Sequence, residues 1–162
     1  MSDAVKTAYD LISQFEGLRL IAYPDPHHGW DLPTIGYGTT VYPDGKRVGR
    51  TDKITNQKAA ECLQHFVAHN IVPVMSKIPN WEKLNTNQQA AVICFAYNLG
   101  SHFYGSPGFK SITTLLDTPS YWTDDNYVHR QFEKYCNPND PKITKGLKRR
   151  RRAEADLFCK DV

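Results

Sequence analysis

Several features that the 162-residue chain lacks limit what it can be. No window approaches about 18 unbroken apolar residues, the length that a membrane-spanning helix needs, so we expect no stable membrane insertion. Its first residues lead straight into a polar, amphipathic segment, and no signal peptide is expected. Phosphate-binding glycine loops, zinc-ligand spacings and serine nucleophile elbows are also absent. We therefore expect neither a cofactor nor a metal.

Cysteine is scarce and scattered, at Cys62, Cys94, Cys136 and Cys159. Three of these positions fall on predicted helices beside apolar residues, and none has metal-ligand spacing. We expect reduced packing residues made in a reducing cytoplasm, with a disulfide as the alternative.

The formal net charge is only +3, but seven basic residues crowd into positions 142–152. Such a run occurs in nucleic-acid binders, in proteins that meet acidic polymers and on solvated helix faces. No stacking aromatic residues surround this one, so nucleic acid is not expected as a partner, and a solvated face is the default interpretation.

A carboxylate lies at the end of the first predicted helix. Apolar positions recur there at spacings of three and four, at Val5, Tyr9, Ile12 and Phe15 or Glu16. This pattern places Glu16 on the apolar stripe of the helix, and Gly17 would end the helix as a left-handed cap. Burial and the helix dipole then favour the neutral carboxyl, as a general acid requires. The alternative is a helix-end residue tied to a basic partner.

A second carboxylate, Asp25, lies between two prolines in a turn-rich stretch, where it should stay ionised. Thr34 follows nine residues later, just before Gly36 and Gly38. These glycines are expected on one face of a strand, where another chain or a ligand could approach the backbone closely. Two carboxyls in opposed environments predict an acid and base pair, although Asp25 as a plain turn former remains the alternative.

These residues resemble the phage-type lysozyme family. The matching segments are Glu16-Gly17-Leu18-Arg19-Leu20, Tyr23, Asp25 and Thr34-Ile35-Gly36-Tyr37-Gly38-Thr39. Further similarity lies in a central helix, with Trp81, Leu84, Gln88, Ala90, Phe95, Asn98 and Gly100, and in a closing helix, with Gly146-Leu147, Arg150-Arg151, Glu154 and Leu157-Phe158. The interval from Asp25 to Thr34 is longer than in the family's pattern, because residues 27–32 fill a longer loop.

The resemblance implies an α+β, lysozyme-like fold with a small antiparallel β lobe, a larger helical lobe and an active-site cleft between them. The expected single domain covers residues 1–162: a first helix over 1–17 that packs on the helical lobe, a β lobe over 18–54 and a helical lobe over 55–162. The implied activity is hydrolysis of the β-1,4 bond between N-acetylmuramic acid and N-acetylglucosamine in peptidoglycan. Glu16 would be the general acid, and Asp25 with Thr34 would position a water or stabilise charge.

Other residues are expected to support this site. Tyr37, Gly38, Tyr97 and Asn98 are candidate substrate-binding residues, with core packing as the alternative for Tyr97. Arg150 lies on the apolar face of the last helix and should meet Glu16, or only Glu154. His27, His28 and Asp31 lack a fourth metal ligand and are interpreted as loop surface.

The secondary structure can be predicted in outline. A Pro43-Asp44-Gly45 turn should separate strands at 39–42 and 46–48. Helical periodicity runs from Ala59 to Ile78, with Thr55 or Asn56 as the cap and a break before Pro73. The core helix should start with a capping box at 86–89 and stop at Gly100. Shorter helices are expected at 109–116 and 124–135, and the last follows the loop at 136–141.

Three other functions share parts of this pattern: a lytic transglycosylase that cuts the same bond, an inactive wall-binding module and a nucleic-acid binder. The complete set of Glu16, Asp25 and Thr34 disfavours the first two. The expected partner is bacterial peptidoglycan, met by a monomer that stays in the host cytoplasm until a separate pore, a holin, lets it reach the wall.

Overall fold

The computed structural model describes residues 1–162 and contains seven α-helices and one small sheet. In chain order the elements are α1 (Asp3–Phe15), β1 (Arg19–Asp25), β2 (Gly29–Gly36), α2 (Asn56–Phe66), α3 (Val72–Met75), α4 (Thr86–Leu99), α5 (Lys110–Asp117), α6 (Asp125–Glu133) and α7 (Pro141–Cys159). A π-helical turn, Val67–Ile71, joins α2 to α3, and short 3₁₀ turns lie at Trp81–Lys83 and Pro119–Tyr121. This mostly helical structure with a small antiparallel sheet confirms the predicted α+β class.

Helix α1 begins at a Ser2 cap, whose hydroxyl accepts a hydrogen bond from the Val5 amide. The helix ends differently from the prediction. Glu16 itself is the C-cap, in an extended conformation with ψ of 128°, while its N–H still donates to the Ile12 carbonyl. Gly17 has no positive φ, so the predicted left-handed cap is wrong. The extended Glu16 turns the chain directly toward β1, and no left-handed residue is needed.

Strands β1 and β2 form a two-stranded antiparallel sheet. Arg19 pairs with Gly36, Tyr23 with Thr34, Pro24 with Pro33, and Asp25 with Gly29. The residues between Gly29 and Pro33 therefore have no partners on β1 and form a bulge. The sequence placed all of residues 27–32 in a loop, but only positions 26–28 form the turn, and the rest lengthen β2.

The predicted pair of strands on either side of Pro43-Asp44-Gly45 is wrong. Residues 39–42 and 46–48 form only isolated bridges, of Ile35 with Thr39 and of Val41 with Arg47. The turn between them is present, with Gly45 at φ of 88°. Gly36 and Gly38 do not share a strand face either, since Gly36 ends β2 and Gly38 lies in the following turn.

Gly36 and Gly38 adopt backbone conformations that favour glycine and lie close to neighbouring side chains. Both have positive φ, of 66° and 97°. A Cβ added at Gly36 would lie 3.3 Å from the Cβ of Ala59 on α2. One added at Gly38 would lie 3.4 Å from the Tyr97 hydroxyl. The close approach predicted for this segment therefore involves the helical part of the chain.

The helical predictions are largely confirmed. Thr55 caps α2, and the π-helical turn breaks the helix just before Pro73, where a backbone donor is missing. The capping box of α4 is shifted by one residue, because Asn85 and not Thr86 is the cap, with Gln88 as its partner. Gly100, at φ of 105°, ends this helix as predicted.

The core is divided unequally between the two parts of the chain. Helix α4 lies at the centre of a cluster of 28 buried apolar residues drawn from the helices and their connections. The sheet has a separate cluster of only three, Ala22, Ile35 and Val48. The cysteines are free; Cys62, Cys94 and Cys136 are buried, and Cys159 is half-buried. None of the helices combines the length and hydrophobicity required to cross a bilayer.

Candidate active site

Glu16 lies at the junction of α1 and β1. Its Oε1 is 2.8 Å from Nη1 of Arg150 on α7. The Glu16 side chain is 29% exposed, whereas that of Arg150 is 6% exposed. The carboxyl is thus accessible on one side and held by a buried guanidinium on the other. The predicted contact between Arg150 and Glu16 is present.

Arg150 also meets Glu154, so both predicted pairings occur together. The Arg150 Nε lies 3.6 Å from Glu154 Oε1, one turn further along α7. Its Nη2 lies 3.8 Å from the Cys94 sulfur of α4. The two carboxylates face different nitrogens of the guanidinium: Glu16 accepts a hydrogen bond from Nη1, whereas Glu154 forms a longer ion pair with Nε, which has no hydrogen-bond partner.

Arg151 was predicted to lie on a solvated helix face, and this is wrong. Both Arg151 and Glu154 are fully buried, and Arg151 Nη2 is 2.5 Å from Glu154 Oε1. Burial raises the pKa of Glu154 to about 7, while the charges of Arg151 and Arg150 oppose the shift. Two adjacent residues of one helix can both be buried here because α7 packs against α4 and α6 at once.

Asp25 is the last residue of β1. Its Oδ1 accepts hydrogen bonds from the backbone amides of His27 and His28, each at 2.9 Å, and lies 3.1 Å from His28 Nδ1. These contacts, the His27 amide first, lower the pKa of Asp25. A lowered pKa favours the ionised form that the sequence predicts for Asp25. The turn-forming role is present as well, since a carboxylate that accepts the amide two residues on is an Asx turn.

Thr34 lies opposite Tyr23 in the sheet and is buried. Its hydroxyl donates to the Leu32 carbonyl at 3.0 Å. The hydroxyl proton is thus engaged within the bulge of β2, and the Thr34 oxygen retains its capacity to accept a hydrogen bond. The longer interval before Thr34 is absorbed by the bulge, which leaves Thr34 paired across from β1.

The charges of Glu16 and Asp25 both affect the pKa of Tyr23. Burial raises its pKa, the guanidinium of Arg19 opposes the shift, and the charges of Glu16 and Asp25 reinforce it. Arg19 also stacks over the Tyr23 ring, 4.5 Å from its centroid. Glu16 and Asp25 therefore both lie within electrostatic range of the Tyr23 phenol.

Tyr97 joins the helical part of the chain to the turn after β2. Its hydroxyl donates to the Tyr37 carbonyl at 2.6 Å, and its ring packs edge-on against Phe66. Burial and the charge of Glu16 raise the pKa of Tyr97, which places the ring near the candidate acid. Tyr37 in turn packs its ring against Tyr9.

Asn98, the next residue on α4, keeps its side-chain oxygen buried without a hydrogen-bond partner. Native structures rarely leave such an atom unpaired. The side-chain oxygen of Asn98 therefore still needs a hydrogen-bond donor in the folded chain.

Three neighbours of the site were not foreseen from the sequence. From the sequence, Arg19 is only part of a motif, His28 is only loop surface, and Arg151 is only part of a basic run. The spacing of three between His28 and Asp25, next to a proline, is the one local signal that could have indicated their contact.

A surface cavity of about 460 Å³ contains none of these residues. It lies at the start of α2, beside Lys46, Lys53 and Lys58. The candidate site is therefore separate from this cavity.

Comparison with known proteins identifies the fold. Residues 13–154 match the family model described as phage lysozyme. The endolysin from Escherichia coli O157:H7 phage FAHEc1 superposes with a TM-score of 0.71 at 29% identity, over 97% of this chain and 93% of that one. A crystal structure of a P22 lysozyme variant gives 0.69 at 28% identity, over 94% and 95%. These likenesses define a lysozyme-like fold, as predicted. The chain belongs to the phage lysozyme family.

Sequence relatives extend beyond the chain. The endolysin of Lactococcus phage c2 is 31% identical over 155 residues, which cover 94% of this chain. The chain spans 58% of the length of that relative. The similarity thus covers nearly all of this chain but little more than half of the longer endolysin.

Proposed function

We propose that this protein is a peptidoglycan hydrolase, an endolysin of the muramidase type that cleaves the β-1,4 bond between N-acetylmuramic acid and N-acetylglucosamine. The observation that carries the proposal is the placement of two carboxyls at the two ends of β1: Glu16, which precedes the strand and is held by the buried Arg150, and Asp25, its last residue, whose Oδ1 accepts the amides of His27 and His28. Such a pair is what glycoside hydrolysis uses.

Glu16 is the proposed general acid. Its exposed side faces solvent, where it can acquire a proton and pass it to the glycosidic oxygen as the bond breaks. The carboxylate that remains is stabilised at once by Arg150, which also forms a longer ion pair with Glu154. Arg150 therefore supports the charge that Glu16 acquires during the reaction.

Asp25 and Thr34 are the proposed water-holding pair. Because the Thr34 hydroxyl proton is directed to Leu32, its oxygen is suited to accept one hydrogen bond from a water. Asp25 accepts the other as general base. Attack by this water on the face opposite the leaving oxygen inverts the anomeric configuration.

Substrate contacts are proposed for the turn after β2 and the end of α4. Tyr37 and Gly38 present ring and backbone there, and Tyr97 holds that turn in place. For the unpaired oxygen of Asn98 we propose a sugar amide N–H as donor, after a rotation of the amide toward the cleft.

We propose that the protein works as a monomer, remains in the host cytoplasm until lysis and depends on a pore made by another protein, a holin, to reach the wall. The β lobe is proposed to cover residues 18–54 and the helical lobe residues 55–162, with α1 packed on the latter.

The acid is tested by Glu16→Gln, which keeps the shape and an acceptor oxygen for Arg150 but has no proton to transfer. We expect release of reducing ends from purified peptidoglycan to fall by at least ~10²-fold, the usual scale for loss of general acid catalysis. Glu82→Gln is the matched control, since Glu82 is exposed and forms no ion pair. A Glu16→Gln enzyme close to the wild-type rate would contradict the assignment.

The role of Asp25 is tested by the configuration of the first product. Proton NMR of freshly cleaved oligosaccharide should show the α anomer before it equilibrates, because water attacks from the far side. An initial β anomer would mean that Asp25 attacks the sugar itself. Anhydro ends instead of reducing ends would identify a transglycosylase.

A further inference from the structure

We propose that His28 is a positioning residue that fixes the Asp25 carboxylate so that its second oxygen, Oδ2, is the one available for the water. The inference rests on the water-holding role of Asp25 in the proposed function. His28 is the last residue of the turn at 26–28, directly after the strand that ends at Asp25.

All the contacts of Asp25 within the chain fall on one oxygen. The backbone amides of His27 and His28 and the His28 Nδ1 are directed at Oδ1, at 2.9, 2.9 and 3.1 Å. No group of the chain bonds Oδ2. A carboxylate oxygen has about two lone-pair sites, so three donors occupy Oδ1 fully and leave Oδ2 as the base.

The side chain of His28 contributes what the backbone amides cannot. Both amides belong to the turn and approach Oδ1 from within it, but the imidazole is a separate group that can hold the carboxylate against rotation about χ2. The His28 side chain is 67% exposed and its one hydrogen bond is to Asp25, whose side chain is 20% exposed. Because the His28 imidazole is exposed and makes no other hydrogen bond, its polar contribution is confined to the Asp25 carboxylate.

Other titratable groups around Asp25 are few. His27 contributes its amide but no side-chain hydrogen bond, and Tyr23 lies within electrostatic range on the same strand. Gly29, which pairs with Asp25 across the sheet, carries no side chain. His28 is therefore the side chain through which the surroundings of Asp25 can be altered without changing its backbone bonds.

The test compares four variants with wild type on purified peptidoglycan. His28→Ala removes the bond, and His28→Gln places its amide near the position of Nε2 instead. His28→Asn retains a donor near the position of Nδ1. His27→Ala is the matched control. We expect His28→Ala and His28→Gln to lose about tenfold in kcat with little change in KM, the scale of one hydrogen bond to a charged group. His28→Asn should recover most of the loss, and His27→Ala should match wild type.

The pH dependence of kcat is a second measurement, because a purely structural role of His28 would leave it unchanged. Because the His28 contact helps to lower the pKa of Asp25, its loss should shift the acidic limb of kcat toward higher pH in His28→Ala but not in His27→Ala. Wild-type kcat and an unmoved acidic limb in His28→Ala would overturn the proposal, as would equal losses in the Ala and Asn variants.

Asp25→Asn separates this proposal from the proposed function. If Asp25→Asn is inactive and His28→Ala is not impaired, only the positioning role of His28 is wrong. If Asp25→Asn keeps its activity, the water-holding role is wrong and the inference falls with it. Unfolding curves of each variant show whether a loss reflects the site or the fold.

Discussion

Arg151 is the largest fully buried side chain of the protein, although it belongs to the most basic stretch of the sequence. Its guanidinium bonds Glu154 and lies over the ring of Phe95, 5.0 Å from the centroid. Two of its nitrogens and one oxygen of Glu154 have no hydrogen-bond partner. Desolvation of such a pair offsets much of its Coulomb attraction. The pair therefore contributes little net stability, and each buried charge is tolerated only because its partner compensates it.

This balance predicts a non-additive result for the two residues. Arg151→Met alone should lower the free energy of unfolding by about 3–5 kcal/mol, because Glu154 is then buried with only the more distant Arg150. The double variant Arg151→Met with Glu154→Leu should be less destabilised than either single variant, since no uncompensated charge remains. Urea denaturation of the four proteins measures the coupling. Losses that simply add would contradict this account.

At the scale of elements, helices α6 and α7 are joined by a histidine suited to its protonated form. His129 Nε2 lies 2.7 Å from Asp156 Oδ1, and its Nδ1 lies 2.8 Å from the Asp125 carbonyl. Both nitrogens face acceptors, and only the imidazolium can donate from both. Burial opposes this charge, but the bonds to Asp156 and Asp125 prevail, and the pKa of His129 is raised.

Stability should therefore depend on pH through this contact. Because the folded pKa lies above the unfolded value, the contribution is complete below the ordinary histidine range and is lost as pH rises through the folded pKa. We expect a decline within about 1 kcal/mol, as for partly exposed pairs. It should disappear in His129→Gln and persist in His102→Gln, a matched change at an exposed histidine without a side-chain bond. Unfolding free energies across neutral pH measure the difference; the same slope in both variants would exclude His129 as its source.

The accuracy of the sequence predictions also varied by element. Helix α4 was predicted well because its apolar run and Gly100 are local signals, and Pro73 located the break after α2 for the same reason. The strands were harder, since β1 and β2 contain prolines and a bulge, and the segments with better strand composition form only isolated bridges. Helical spacing placed Arg150 on the core-facing side of α7, with Glu16 or only Glu154 as its partner, and both contacts are present. The burial of Arg151 did not follow from that spacing, because it depends on α7 packing against two other helices.

At the scale of the whole molecule, α7 carries a group of exposed basic residues. Lys145, Lys148 and Arg149 are exposed and form no ion pairs, whereas Arg150 and Arg151 turn inward. The default interpretation of a solvated face thus holds for these three residues. An exposed cationic face attracts anionic polymers at long range without entering the chemistry.

Replacing Lys145, Lys148 and Arg149 with Gln should lower activity on whole cell walls at low salt and have little effect at high salt, where the attraction is screened. Short oligosaccharide substrates should be less affected. The matched control is replacement of Lys46, Lys53 and Lys58, which changes the net charge equally but lies at the start of α2. Turbidity assays across a salt series compare the two. Equal losses in both triple variants would assign the effect to net charge and not to α7.

The three-residue core of the sheet has a consequence for the motions of the chain. Ala22, Ile35 and Val48 bury too little apolar surface to keep the sheet folded by themselves, and its order depends on contacts such as Gly36 against Ala59. Amide hydrogen exchange should therefore proceed in two tiers. The amide of Ile35 would exchange through local opening that leaves the helices intact, whereas that of Ile93 in α4 would exchange only when the entire molecule unfolds. The strand that carries Asp25 then belongs to the more readily opened unit, and the helix end that carries Glu16 belongs to the more protected one.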